Sequence, residues 1–126
     1  MSADDPSETM RARLRDDLRT AMKSRDTVET SVLRRLIAAI DNAQAVAAPP
    51  GPATPGGGSQ WVAGSTAFGT GDVPRRHLGA ADIDALLRRE VERHLSLADE
   101  MDGYGLRDDA ARARAEADIA SRYVSP

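Results

Sequence analysis

The side chains able to do chemistry in this 126-residue chain are few. It has no Cys, so disulfides, cysteine–zinc sites and thiol catalysis are excluded. His77 and His94 are the only imidazoles. Glu90 and His94 stand four apart, a spacing that could offer a metal pair on one helix face, but no partner Glu-x-x-His occurs elsewhere. On that ground His94 reads as a packed or hydrogen-bonded residue of a helix seam. A Ser-His-Asp relay needs a His held against a buried acid, which neither imidazole's position suggests. The acidic pairs Asp16-Asp17, Asp82 with Asp84, and Asp108-Asp109 fall at helix ends or on polar faces, where capping or solubility accounts for them. The residues therefore name no catalytic site, no metal site and no cofactor.

The cations are the better candidates. Arg11, Arg15, Arg19 and Lys23 recur every four residues and form one ridge on a helix. Arg34-Arg35 and Arg88-Arg89 add two clusters. Together they could grip phosphates. Against this, the net charge is -3 and the pI about 5.3, unlike a general nucleic-acid neutraliser. Only four residues are aromatic, too few for a base-stacking platform. Trp61 and Phe68 are two of those four, and they lie in a Pro/Gly-rich tract where they could dock a partner protein.

The elements that must carry these residues are helical. Asp5-Pro6-Ser7-Glu8 reads as an N-cap, a Pro at the first helical position and a capping-box Glu. Met10, Leu14, Leu18, Ala21 and Met22 then form an apolar stripe. Ser24-Arg25-Asp26 breaks it, and Asp26 with Glu29 starts a second helix whose stripe is Val28, Val32, Leu33, Leu36, Ile37 and Ile40. Residues 48–78 hold five of the seven Pro and most of the Gly, including Gly56-Gly57-Gly58-Ser59, and read as a long flexible insertion. Gly79 with Asp82 opens a third helix running to about Tyr104, with Ile83, Leu87, Val91, His94, Ala98 and Met101 on its seam. Gly103 and Gly105 stop it. Asp108 and Asp109 start a fourth, striped by Ala110, Ala113, Ala117, Ala120 and Val124. An Ala stripe gives this helix little to bury, so it needs a close neighbour. The expectation is an all-α, antiparallel bundle of two helical hairpins joined by the insertion. The length allows one domain, expected over 1–126, and short turns at 24–26 and 103–107 force antiparallel neighbours within each hairpin. No signal peptide or membrane-spanning run is visible, so the expected address is cytoplasmic, with no membrane partner.

Residues 14–42, LRDDLRTAMKSRDTVETSVLRRLIAAIDN, resemble the start of the GatB/YqeY family. The matching elements are Ala21-Met22-Lys23, Asp26, Leu33-Arg34 and Leu36-Ile37-Ala38-Ala39-Ile40. In the second hairpin Leu78, Asp82, Arg89-Glu90-Val91, Gly105 and Glu116 fit, and Tyr123-Val124 with Pro126 is similar to the family's closing Tyr-Leu-Pro. The likeness covers about 10–47 and 78–126, corresponding to the family's N-terminal helical subdomain. The insertion is longer than the family's connection. Asp109 and Ala113 replace a common apolar residue and a common Glu. The resemblance implies an all-helical, non-catalytic accessory protein associated with tRNA or with a translation-related protein, as the tail of the amidotransferase B subunit approaches tRNA. The alternative is a protein–protein interaction module without RNA binding. A remote alternative is the carbon–nitrogen ligase chemistry, with glutamine as amido donor, that belongs to other amidotransferase domains.

Overall fold

The structure, a computed structural model, describes residues 5–45 and 76–126. Among these residues there are four helices and no strand: α1 (Pro6–Lys23), α2 (Thr27–Ala45), α3 (Ala80–Gly103) and α4 (Arg107–Ser121). The all-α expectation holds. Trp61 and Phe68 lie outside the described residues, as does nearly all of the 48–78 insertion. The chain divides into two units, Met1–Asp41 with Leu78–Pro126, and Asn42–His77. In the second, the Arg76 N–H donates to the Gln44 carbonyl at 3.1 Å.

The caps form much as the residues dictate. Asp5 Oδ1 accepts the Ser7 N–H at 3.1 Å, and Pro6 needs no partner for an N–H it lacks. Asp26 Oδ1 accepts the Glu29 N–H at 3.0 Å. Asp82 Oδ2 accepts the Gly79 N–H at 3.0 Å. Two expectations change: Glu8 makes no hydrogen bond back to Asp5, and the Glu29 carboxylate does not fold back onto its own N-terminus but reaches Arg122, at 3.2 Å. An ion pair to a distant element outcompetes the local cap.

Both hairpins turn through the same backbone motif. After α1, the Asp26 N–H donates to the Ala21 carbonyl and the Arg25 N–H to that of Met22. After α3, the Leu106 N–H donates to Met101 and the Gly105 N–H to Asp102. Each is a Schellman turn with its pivotal residue in the left-handed region, Arg25 at φ 61° and Gly105 at φ 79°. These turns make each hairpin antiparallel. Arg11 near the start of α1 pairs with Asp41 late in α2, and His94 in mid-α3 faces Glu116 in α4.

The core is aliphatic and small. Leu14, Val32, Leu33, Leu36, Ile40 and Leu87 are essentially sealed from solvent. Each aliphatic side chain buried contributes about 1.5–3 kcal/mol, more than the tenths lost to helix propensity by β-branched Val32 and Ile40. Ala98, Ala110, Ala113, Ala117 and Ala120 are also buried, and α4 packs along α3. That is the close neighbour an Ala stripe requires. Met22 departs from expectation: placed on the core stripe by spacing, it is 51 % exposed.

The residues after α4 fasten three other helices. Arg122 pairs with Glu29 of α2. The Tyr123 ring is buried, its hydroxyl donates to Asp17 Oδ2 at 2.5 Å, and the Arg13 guanidinium lies 4.5 Å from its ring centroid. The Ser125 N–H donates to Asp84 Oδ1 at 2.6 Å, while Arg88 donates to the Ser125 carbonyl at 3.1 Å.

Candidate functional site

The eight candidate cations fall into two groups. Four are held by carboxylates. Arg11 pairs with Asp41 at 3.0 Å and its side chain is only 13 % exposed, so it serves the α1–α2 interface rather than an outer ridge. Arg19 pairs with Asp16 at 3.2 Å, Arg35 with Glu90 at 3.5 Å and Arg88 with Asp84 at 2.9 Å. The other four, Arg15, Lys23, Arg34 and Arg89, are exposed and have no carboxylate within ion-pair distance among the described residues. The expected α1 ridge is therefore interrupted. What remains is Arg15 and, two turns further on, Lys23.

The structure brings Arg34 to the α1–α2 corner, against Met22, the residue before Lys23. Arg34 Nη2 lies 3.8 Å from the Met22 sulfur, which spans the two helices. Beside them is an open groove of about 610 Å³ lined by Met22, Arg25, Thr27, Thr30, Ser31 and Arg34. Thr27, Thr30/Ser31 and Arg34 are spaced by threes and fours, so they share one face of α2. Arg25, Met22 and the hydroxyls are not evident as site residues from composition or ridge spacing. One signal was available: an Arg where the end of a helix calls for Gly.

A second polar cluster lies inside the bundle. His94, 5 % exposed, sits with Nδ1 3.3 Å from Glu116 Oε1. Glu116 also takes Arg112, at 3.4 Å. His94 Nε2 and Glu90 Oε1 are buried without a hydrogen-bond partner, although Arg35 Nε approaches Glu90 Oε1 as a charge at 3.5 Å. The imidazole thus packs on the seam as its spacing indicates. Among the described residues no group of three or more His, Asp or Glu is placed to hold a metal ion.

Three ionisable groups elsewhere respond to their surroundings. The Ser125 N–H, and then Arg88, hold the Asp84 carboxyl below its ordinary range. Burial, and then the bond to Asp17, push the Tyr123 phenol above its usual value. Asp102 makes Arg114 hold its proton more tightly than usual. All three belong to contacts that join elements.

No family model, curated protein or solved structure matches this chain. Among the described residues, no helix is long and apolar enough to cross a membrane.

Proposed function

We propose that this chain is a GatB/YqeY-like helical accessory protein, non-catalytic, that binds tRNA or a related RNA through the phosphate backbone. The resemblance of residues 14–42 supplies the class of partner. The observation that carries the reading is the division of the cations: Arg15, Lys23 and Arg34 stay exposed and without carboxylates on the first hairpin, while Arg11, Arg19, Arg35 and Arg88 are neutralised. A paired guanidinium gains little from a phosphate, because it must first give up its carboxylate. An unpaired one exchanges only water and counterions. A local patch of this kind attracts a polyanion even on a molecule whose net charge is -3.

A gel-shift titration with bulk tRNA at low salt tests this. Binding should weaken steeply with added salt, each phosphate contact contributing roughly 0.7–0.9 to the log–log slope. Arg15→Glu with Lys23→Glu and Arg34→Glu should abolish the shift, while Arg19→Glu leaves most of it. Failure of the unmodified protein to shift tRNA at low salt overturns the proposal.

A second reading, a protein–protein interaction module, is favoured by the apolar side chains exposed on α3 and just after it: Leu95, Leu97, Tyr104 and Leu106. A shift with tRNA that is lost in the triple variant counts against it.

A further inference from the structure

The α1–α2 groove combines three features. Its polar groups are uncommitted. The Arg25 side chain makes no hydrogen bond or ion pair among the described residues, and the one polar contact of the Arg34 side chain there is with the Met22 sulfur. The hydroxyls of Thr27, Thr30 and Ser31 make no hydrogen bond, whereas those of Thr20, Ser24 and Ser121 each fold back on a helix carbonyl. The neighbouring carboxylates are engaged elsewhere, Asp26 with the Glu29 N–H and Glu29 with Arg122. The third feature is conformational. Arg25 is the only non-glycine residue with positive φ among those described, and it occupies the position that the second hairpin gives to Gly105. A long side chain held in the left-handed region is a strained choice, and the strain puts a guanidinium on the rim of the groove.

We propose that this groove holds a phosphate group of single-stranded RNA. Arg25 and Arg34 take the anion from two sides, since guanidinium forks match phosphate oxygens. The hydroxyls on the α2 face donate to the remaining oxygens. Met22, half exposed on the groove wall, gives an adjoining unstacked base an apolar surface. A duplex keeps its bases inside and offers nothing to that surface. This assignment rests on the RNA reading above and names the place and the kind of strand.

The test is fluorescence anisotropy with a labelled single-stranded RNA oligonucleotide and with its duplex, at low salt, on the full chain and on Arg25→Gly and Arg34→Gln. Arg25→Gly relieves strain, so a thermal melt should show a fold at least as stable as the original. Its affinity for the single strand should nonetheless fall roughly five- to tenfold, and its salt slope should drop by about 0.7, one contact's share. Arg34→Gln should behave alike, and the duplex should bind more weakly than the single strand. If the unmodified chain binds RNA and both variants bind it equally well, the groove is not the site, while the RNA reading stands. Duplex binding as tight as that of the single strand overturns the strand assignment. No binding by the unmodified chain at low salt overturns the groove and the RNA reading together.

Discussion

Arg25 and Gly105 occupy the same position in two matching turns, at φ 61° and φ 79°. Only one of them is the residue that the turn favours. The left-handed region costs a non-glycine residue roughly 1–2 kcal/mol. Glycine returns about 0.4–1 kcal/mol of that through the greater freedom of the unfolded chain. Arg25→Gly should therefore stabilise the protein by about 0.5–1 kcal/mol in denaturant unfolding. Gly105→Ala should destabilise it by about 1 kcal/mol. A Cβ at Gly105 meets nothing within 4 Å, so the penalty there is conformational alone.

The contact between Asp84 and the Ser125 N–H should open with acid. The Asp84 carboxyl is held below the ordinary carboxylate range by that N–H and then by Arg88. A lowered folded-state value means that the contact contributes fully above the unfolded value and is lost as pH falls through the folded one. The Ser125 amide resonance should thus stay constant down to about pH 4 and move only below it. Asp84→Asn should displace that resonance at neutral pH. A midpoint above the ordinary carboxylate range would contradict the assignment.

Tyr123→Phe keeps the ring between α1 and the residues after α4 but removes its bond to Asp17. The lost bond should cost roughly 1–2 kcal/mol, as for a partly buried bond to a charged group. Tyr123→Ala removes the ring as well, together with the surface on which Arg13 lies, and should cost about 3–5 kcal/mol. Urea unfolding of the two variants separates the contributions of hydroxyl and ring.

Burial ranks the leucines. Leu36 is sealed and Leu97 is 38 % exposed. Leu36→Ala should cost roughly 2–5 kcal/mol, and Leu97→Ala about 0.5 kcal/mol or less. Equal losses would place Leu97 in an interface that this structure does not contain.

The helices were legible because their signals are local. Asp5-Pro6, Asp26 and Gly79 with Asp82 announce three starts, and the stripes through Leu14, Leu36 and Leu87 show which faces go inward. The candidate site was legible only in part. Spacing along α1 put Arg11, Arg15, Arg19 and Lys23 on one ridge. Which of them keeps a free charge depends on Asp41 and Asp16, and a one-helix pattern cannot assign the α2 partner. The same holds for Arg88 and Asp84, whose meeting with Ser125 spans 41 residues. Spacing misplaces Met22 because the stripe ends on two adjacent residues: Ala21 takes the buried position, and Met22, about 100° further round α1, lines the groove.

Arg122, Tyr123 and Ser125 reach α2, α1 and α3 in turn, across sequence separations of 93, 106 and 41 residues. During synthesis, α1, α2 and most of α3 emerge from the ribosome before the knot that ties them exists. Until residues 122–125 are made, α1, α2 and α3 lack these three contacts. The slower those residues follow, the longer a protease or chaperone has to meet the helices without them.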